Sequence, residues 1–336
     1  MRKLATIRKI DQLRPIVDAD AIEAAVVDGW VVVVKKGEYQ VNDLAIYCEI
    51  DSWIPYDLAP FLSKGDKPRE YNGVKGERLR SIKLRGTLSQ GLLIPRHVVL
   101  DKIGEIQLGQ DVTDLLGIQK WEAPIPAELA GKIEGSFPGF VPKTDQERCQ
   151  NLTAEIEQYR TQELSFEVTE KLDGSSMTVF VNGDQEGVCS RNYIIKETKE
   201  NSLWHVARRE QLIEKIRSSG RNLALQGEII GEGIQGNRYK IRGQEFHLFD
   251  IYDVDRKEYM TPHERQEFSI THRIQHVPVI SKETIITENV QGLLKMAEGK
   301  SMLNDRAERE GLVFKCNFLG LSSFKVISNK FLLKND

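Results

Sequence analysis

A lysine and an aspartate stand two positions apart near the middle of the chain, at Lys171 and Asp173, with Gly174 directly after them. If residues 164–173 continue as one strand, side chains two positions apart point to the same side, so the amine and the carboxylate face one space. A neutral lysine amine is a nucleophile, and a carboxylate beside it can bind a metal ion. The same pattern also occurs at hairpin ends with solvated charges, so other segments must decide between the two interpretations.

Segments further along the chain carry acidic, basic or aromatic side chains in a fixed order. They are residues 190–192, 226–231, 246–251, 310–315 and 324–325. Each has an ordinary structural explanation when it is taken alone: Glu228 can cap a strand, Glu310 can end a charged helix, and Phe249 can be a core residue. As an ordered series, these segments favour a catalytic site.

Lysine chemistry imposes a charge requirement on such a site. A free lysine has a pKa near ~10.4, and a neighbouring carboxylate favours its charged form further. Positive charge must therefore enter before the amine can attack, from a divalent metal ion together with Arg191 and Lys325. Oxygen ligands without histidine or cysteine suit Mg²⁺ or Mn²⁺, and a second ion would orient a pyrophosphate leaving group. The predicted metal ligands, directly or through water, are Asp173, Glu228 and Glu310.

The motif series resembles that of the covalent nucleotidyltransferases, which include ATP-dependent ligases and mRNA capping enzymes. DNA ligases and capping enzymes usually carry an OB domain after the transferase domain, whereas here the chain stops soon after residues 324–330. With residues 30–50, 143–151 and 170–176, this layout is similar to the Naegleria-type ATP-dependent RNA ligases, also called the RNA ligase 5 family. The similarity extends over nearly the whole chain.

The predicted fold class is α+β. Short β-branched or apolar runs within the first 120 residues predict a small barrel, the longest being 30–34 and 44–50. We expect an N-terminal OB-type β-barrel followed by an antiparallel-sheet nucleotidyltransferase (ATP-grasp-like ligase) domain. The expected divisions are an OB domain at 1–120, a linker rich in proline and glycine at 121–142, and a nucleotidyltransferase domain at 143–336.

The resemblance implies a role for each matching residue. Lys171 would be the site of adenylylation, Phe249 would cover adenine, and Lys325 would meet the α-phosphate. Arg191 would contact ribose or phosphate, and Glu228 and Glu310 would serve ribose or metal. Further candidate ATP contacts are Glu170, Asn192, Arg148 and Lys330.

Two of these assignments have an alternative. Arg148, like Lys143, meets polyphosphate on one interpretation and belongs to a charged helix start on the other. Related RNA ligases often have a second lysine two positions after the one that matches Lys325, but here Ile327 stands at that place. Lys330 is the candidate replacement.

A basic segment lies in the predicted OB domain. Its basic residues are Lys75, Arg78, Arg80, Lys83 and Arg85, against the single acid Glu77. On one strand, Arg78 and Arg80 would share a face and Lys83 and Arg85 the other, so the segment could follow a phosphate backbone. The alternative is a solvated hairpin.

Composition restricts the class of protein. The chain has 336 residues and a formal net charge of −3, so contact with nucleic acid must come from local basic patches. Its four cysteines show no metal-ligand spacing and are expected to be reduced thiols. We find no secretory leader and no segment of membrane-spanning length, and therefore expect a soluble intracellular protein, cytoplasmic or nuclear.

The implied activity is sealing of 3′-OH/5′-phosphate nicks by an ATP-dependent RNA ligase, through a covalent lysyl-AMP and an RNA-adenylate. The expected partner is a nicked duplex with RNA on the 3′-OH side, bound by a monomer. One alternative is an ATP-dependent DNA nick ligase, since the first-step residues are shared. A capping guanylyltransferase and an RNA-binding module with an inactive transferase domain are further alternatives.

Overall fold

The computed structural model describes residues 3–98, 101, 104–105, 107–122, 131–318 and 322–335. The chain divides into two compact units. The first comprises Met1–Pro124 with Leu332–Asp336, and the second comprises Ile125–Phe331.

The first unit consists of short strands. They are β1 (Ala5–Lys9), β2 (Gln12–Pro15), β3 (Ile22–Val27), β4 (Trp30–Lys35), β5 (Leu44–Cys48), β6 (Ser52–Pro55), β7 (Arg69–Tyr71), β8 (Val74–Arg78), β9 (Ile82–Leu84), β10 (Thr87–Ser89), β11 (Leu92–Pro95) and β12 (Gln119–Lys120). They form four sheets, in the orders β1-β5-β11, β2-β3-β4, β12-β6-β8-β7 and β9-β10. Every pairing within these sheets is antiparallel. Short helical turns lie at Pro60–Leu62, Lys64–Asp66 and Arg96–Val98.

Alternating side chains give this unit two apolar cores. Ile7, Ile46 and Ile94 are buried in one of them. Trp30 and Tyr47 stack in the other, with ring centroids 5.6 Å apart. Neighbouring residues of β5 therefore serve opposite faces, as the period of two in a strand requires.

The prediction of one alternating basic strand over residues 75–85 is wrong. Strand β8 ends at Arg78, and β9 begins only at Ile82. Leu79 between them is buried, and its backbone bonds to that of Asp51 and Ser52. Because the strand ends before the buried Leu79, the basic side chains do not alternate along a single strand.

The second unit contains two larger sheets and six helices among its described residues. Its strands are β13 (Ile133–Ser136), β14 (Glu147–Arg148), β15 (Ser165–Lys171), β16 (Ser175–Asn182), β17 (Gln185–Cys189), β18 (Tyr193–Ile195), β19 (Leu223–Gly231), β20 (Gln244–Asp253), β21 (Glu258–Tyr259), β22 (Val279–Ile285), β23 (Gly311–Cys316) and β24 (Ser323–Ile327). Its helices are α1 (Thr153–Thr161), α2 (Ser202–Arg209), α3 (Leu212–Ser218), α4 (Pro262–Thr271), α5 (Val290–Met296) and α6 (Asn329–Asn335). Helix α6 extends past Phe331, the last residue of the second unit. Helical turns lie at Cys149–Asn151 and Gln235–Asn237.

The two sheets meet where the chain passes from one to the other. The seven-stranded sheet has the order β13-β18-β17-β16-β19-β20-β21, and the five-stranded sheet has the order β14-β24-β23-β15-β22. All pairings are antiparallel except the parallel pair β14 and β24. Residues 172–174 connect β15 of one sheet to β16 of the other. Side chains from both sheets therefore converge at this crossing.

Two local predictions differ from the structure in detail. The apolar pattern after Asn201 predicts one helix, whereas the structure has α2 and α3, separated at Gln211, whose φ is +54°. The Asn201 side chain caps α2 as predicted, by accepting a hydrogen bond from Trp204 N. Part of the predicted linker, 133–136, forms strand β13, while residues 123–130 lie outside the described residues. The division at 120 and 142 stays a prediction.

A buried ion pair joins helix α4 to strand β15. Arg265 and Glu167 are both fully buried, and Nη2 of Arg265 donates to Oε2 of Glu167. Arg265 Nε also donates to His276 Nε2 at 2.9 Å, and Gln266 donates to the other oxygen of Glu167. Because both charged groups are buried away from water, removal of either one would leave the other as a poorly compensated buried charge.

We therefore expect Glu167→Ala to lower the free energy of unfolding by about 3–5 kcal/mol, since the buried Arg265 guanidinium would lose its nearest carboxylate and keep only the 3.6 Å contact with Asp250. Urea denaturation measures this loss. The matched control is Glu157→Ala, which removes the exposed ion pair of Glu157 with Arg160 and should cost less than about 1 kcal/mol. Equal losses in the two variants would contradict the expectation.

Candidate active site

A cavity of about 560 Å³ lies at the crossing of the two sheets in the second unit. It brings together most of the site residues that the sequence predicts. Those among its lining residues are Glu170, Lys171, Asp173, Arg191, Asn192, Glu228, Phe249, Glu310 and Lys325.

Lys171 is the last residue of β15, and its side chain is 25% exposed. Its Nζ donates to Oε2 of Glu310 at 2.8 Å. Burial by itself would lower the pKa of Lys171, but Glu310, Glu228 and Asp173 together raise that pKa above its ordinary value. The amine is therefore an ammonium ion in this arrangement, held by carboxylates, and has to lose a proton before it can act as a nucleophile.

Gly174 is required by a close approach to β19. A Cβ atom at this position would lie 2.4 Å from the carbonyl oxygen of Ile229. The φ angle of Gly174 is outside the left-handed region, so the turn itself does not demand glycine. The backbone N–H of Gly174 donates to Oε1 of Glu228 at 3.1 Å, which fixes this carboxylate beside Lys171.

Glu228 has the most perturbed carboxyl group of the site. Burial raises its pKa to about 7, with further increases from Glu310 and Asp173, although Lys171 and the Gly174 N–H oppose the shift. Burial and Glu310 likewise raise the pKa of Asp173, against the opposing effects of Arg238 and Lys171. Lys171 therefore does not fully offset the effect of burial on these two carboxyl groups.

The donor chemistry of these carboxylates fits a divalent cation. Asp173, Glu228 and Glu310 present hard oxygen atoms of the kind that Mg²⁺ and Mn²⁺ prefer. Within the part of the chain that the structure describes, no three acidic, histidine or cysteine side chains form a ready metal cage. The arrangement therefore suits an ion held partly through water molecules better than direct ligation by all three carboxylates.

Phe249 enters the cavity because strand β20 has a bulge there. Gln226 of β19 pairs with Asp250, whereas the next residue, Gly227, pairs with Leu248, so Phe249 is the extra residue. Leu248 is buried in the apolar core, while Phe249 lines the cavity. Bulges beside active sites redirect side chains in this way. The aromatic face is suited to stacking on a nucleotide base.

Lys315 is a cavity residue to which the sequence analysis assigned no role. Its Nζ lies 2.6 Å from Oδ1 of Asp250, donates to the carbonyl of Phe249 and lies 5.6 Å from the Phe249 ring centroid. Burial lowers the pKa of Lys315 to about 8, because the opposing effect of Asp250 only partly offsets it. Alternation along β23 places Lys315 on the same side as Val313, which also lines the cavity. This spacing of two residues is the sequence pattern from which the position of Lys315 could have been predicted.

Arg191 and Asn192 lie at the cavity wall with partners from the preceding segment. Arg191 Nη2 is 2.6 Å from Oδ1 of Asp145, and its side chain is 62% exposed. Lys143 Nζ donates to Oδ1 of Asn192 at 3.1 Å. Residues 143–145 are therefore tied to this wall.

Three other residues that were predicted to contact ATP lie at the edge of the cavity or outside its lining. Glu170 is buried and accepts a hydrogen bond from Met302 N at 2.7 Å. Arg148 is opposite Lys325 in the β14–β24 pair, but it is not among the cavity-lining residues of the described chain. Lys330 lies outside that lining as well, with its Nζ 3.8 Å from Oε2 of Glu308.

Comparisons with known proteins agree with this geometry. A family model for RNA ligases matches residues 164–327, and a model for an OB-fold domain matches residues 4–96. Three solved structures of Naegleria gruberi RNA ligase are each 48% identical to this chain, and each comparison covers 99% of both chains. They are a glutamate-to-alanine mutant with AMP and Mn (TM-score 0.87), a lysine-to-alanine mutant with ATP and Mn (0.86), and the ligase with PPi (0.85). The chain belongs to the Naegleria-type RNA ligases.

The predicted fold class and enzyme class of this ligase are thereby confirmed. An OB-fold domain comes first, and a largely antiparallel domain with the RNA ligase match follows. A search of the curated proteins finds no match. Among the described residues, no helix is long and apolar enough to cross a membrane. All four cysteines of the ligase are free and buried, in agreement with the expectation of reduced thiols.

The pKa of Glu228 predicts how ligase stability depends on pH. Because the pKa rises from an ordinary 4.5 to about 7 on folding, the folded protein binds the extra proton, and stability falls as pH rises through this interval. We expect Glu228→Gln to stabilise the metal-free ligase at pH 8 by about 1–3 kcal/mol more than at pH 5. Urea denaturation at both pH values measures the difference.

The control for this prediction is Glu186→Gln, at an exposed glutamate paired with Arg217. It should change stability by the same small amount at both pH values. A Glu228→Gln effect that is likewise independent of pH would show that burial does not perturb this carboxyl group.

Proposed function

We propose that this ATP-dependent RNA ligase seals 3′-OH/5′-phosphate nicks in three steps. Lys171 first takes AMP from ATP, AMP then passes to the RNA 5′-phosphate, and the RNA 3′-OH finally displaces AMP. The observation that carries this proposal is the Lys171 amine, which faces a cavity shared with three carboxylates. The solved Naegleria gruberi structures with ATP, AMP or PPi support the same nucleotide chemistry here.

In the first step, the lone pair of Lys171 Nζ forms a bond to the α-phosphorus of ATP. The bond from that phosphorus to the bridging oxygen breaks, and pyrophosphate leaves with the electron pair. Glu310 accepts a hydrogen bond from Nζ and so orients the amine before attack. Since Nζ has to be neutral, the first step requires that Lys171 give up the proton that the carboxylates stabilise.

Asp173, Glu228 and Glu310 are the residues proposed to hold Mg²⁺ or Mn²⁺, in part through water. A bound divalent ion supplies positive charge that lowers the pKa of Lys171 and offsets charge on the α-phosphate. Solved structures of Naegleria gruberi RNA ligase contain Mn with ATP and with AMP, which supports a divalent metal in this ligase. Two ions, the second with pyrophosphate, remain our proposal for the complete reaction.

The cavity wall offers matching contacts for the nucleotide. Phe249 is proposed to stack on adenine, since its ring is the redirected aromatic face in the cavity. Lys325 is proposed to meet the α-phosphate, and Arg191 and Asn192 to contact ribose or phosphate. Glu170 lines the cavity and stays a candidate contact, although its carboxylate accepts a hydrogen bond from Met302 N. Arg148 and Lys330 stay candidates for indirect contacts, because neither of them lines the cavity.

RNA contacts are proposed for the basic residues of the first unit. Lys75, Arg80, Lys83 and Arg85 are exposed there. Arg78 instead pairs with Asp51 at 2.5 Å and lies 3.8 Å from the Trp121 ring centroid. Lys83 Nζ donates to the carbonyl of Leu333 in the same unit. Exposed cations of this kind bind phosphates without reading sequence.

We propose that the ligase acts on the nick as a monomer.

We expect Lys171→Ala to abolish transfer of label from α-labelled ATP to the protein, because no other side chain is proposed to form the covalent bond. Denaturing electrophoresis in the presence of Mn²⁺ shows the labelled band. Lys199→Ala, at an exposed lysine, is the control and should label normally. Binding of RNA should remain measurable in the Lys171→Ala variant. Labelling of that variant at the normal level would refute the nucleophile.

Two nicked duplexes that differ only in their 3′-OH strand test whether the enzyme is an RNA ligase or a DNA nick ligase. The labelled ligase is given a nicked duplex whose 3′-OH strand ends in RNA or in DNA. We expect sealed product, with release of the label as free AMP, only with the RNA end, because a 2′-OH is the group that distinguishes the two. Sealing of both ends would favour a general nick ligase, and absence of any covalent band would favour an inactive RNA-binding module.

A further inference from the structure

The segment 232–243, between β19 and β20, has an unusual backbone for its length. Gln235, Asn237 and Lys240 have φ angles of +44°, +45° and +59°, in the left-handed region that non-glycine residues rarely adopt. The side chain of Asn237 fixes this conformation by bonding both the N–H and the carbonyl of Ile241, at 3.1 and 2.8 Å. Strained backbone of this kind persists only where the surroundings determine it, and it concentrates at functional sites.

Two consecutive residues of this segment hold Asp173. Nε of Arg238 lies 2.7 Å from Oδ2 of Asp173, and the backbone N–H of Asp173 donates to Oη of Tyr239 at 2.7 Å. The carboxylate and the backbone of one residue are therefore fixed from the same side. Asp173 is in the short connection between the two sheets, where strand pairing does not restrain it.

Arg238 is itself held at two further points. Its guanidinium lies 4.8 Å from the ring centroid of Phe331, and its carbonyl accepts a hydrogen bond from Nδ2 of Asn304 at 2.7 Å. The Arg238 side chain is 22% exposed, so this ion pair is better shielded than a surface pair. A planar guanidinium stacked on a ring and paired with a carboxylate has one preferred orientation.

Arg238 stands behind Asp173 with respect to the cavity. Asp173 is among the described residues that line the cavity, whereas Arg238 is not. The guanidinium therefore acts on the reaction through Asp173 and not through contact with the nucleotide.

We propose that Arg238 is a positioning residue, which orients the Asp173 carboxylate for the divalent metal of the reaction. The proposal rests on the metal-binding role of Asp173 in the proposed function. A carboxylate that binds a metal ion, directly or through water, is usually held by a hydrogen-bonding partner of this kind, and loss of the partner typically weakens metal binding ~10–100-fold. The ion pair thus extends the metal site to a segment about 65 residues away in sequence.

The sign of the effect separates positioning from simple charge. A guanidinium that acted only as a positive charge would repel the metal ion, so its removal would strengthen metal binding. A guanidinium that orients Asp173 has the opposite effect, and its removal weakens metal binding. Arg238→Gln removes the charge and the guanidinium group, whereas Arg238→Lys retains the charge but not the planar shape.

The first experiment measures lysyl-AMP formation against Mn²⁺ concentration at saturating ATP. We expect Arg238→Gln to raise the half-saturating Mn²⁺ concentration ~10-fold, and Arg238→Lys to raise it less. The matched control is Arg242→Gln, at an exposed arginine of the same segment, which should leave the concentration unchanged. An unchanged or lower half-saturating concentration in Arg238→Gln would overturn the proposal.

The second experiment needs no activity. Urea denaturation of the metal-free ligase gives the stability lost through Arg238→Gln, in the wild-type background and in Asp173→Asn. If Arg238 acts through Asp173, the loss should shrink by at least half in the Asp173→Asn background, since the two residues are coupled. Equal losses in both backgrounds would count against the proposal, even where the Mn²⁺ titration is affected.

Asp173→Asn also separates this inference from the function on which it rests. If Asp173→Asn leaves the Mn²⁺ requirement unchanged, the metal-binding role of Asp173 fails, and the inference fails with it. If Asp173→Asn raises the requirement but Arg238→Gln does not, the proposed function stands and only the role of Arg238 is lost.

Discussion

The balance of charge around the Lys171 amine is the constraint on which the second unit depends. One ammonium group faces the carboxylates of Asp173, Glu228 and Glu310, and all three raise its pKa. Arg238 pairs with Asp173, but burial, together with Glu310 and Asp173, still raises the pKa of Glu228 to about 7. The folded site is therefore prepared for further positive charge. This arrangement keeps the nucleophile protonated at rest and makes its activation depend on what enters the cavity.

The fold keeps this unfavourable cluster in place by building it at the crossing of two sheets. Lys171 ends β15 opposite Gly311 of β23, while Glu228 is opposite Ser176 on the neighbouring sheet. The short connection through Gly174 leads from one sheet to the other, and it passes so close to β19 that a Cβ atom would not fit. Sheet pairing on both sides thus holds Glu228 directly, while Glu310 stands one residue before β23 and Asp173 lies in the connection between the sheets.

Sequence patterns predict the parts of this site that depend on regular strands. Lys171, Glu228 and Glu310 lie within or at the end of strands with clear apolar patterns, so their order and alternation were informative. Phe249 was predicted to face the nucleotide by alternation with Phe246 and Leu248, which are both buried in the core, whereas the bulge after Leu248 shows in no sequence pattern. The prediction of one basic strand over residues 75–85 was wrong because the buried Leu79 interrupts the strand. Arg238 and Lys315 went unassigned because their partners are distant in sequence, 65 residues away for the Lys315–Asp250 pair.

A second layer of buried charge borders the cavity, which its Lys315 also lines, and its balance differs from that of the first. Lys315 and Arg265 provide two positive charges against the two carboxylates of Asp250 and Glu167, and the pKa of His276 falls to about 3, so its ring is neutral. This layer is paired and needs no further ion, as buried charges in a stable core must be. It therefore cannot release charge to compensate the carboxylates in front of it. Of these two clusters, only the carboxylates of Asp173, Glu228 and Glu310, which line the cavity, therefore leave negative charge for an added cation to offset.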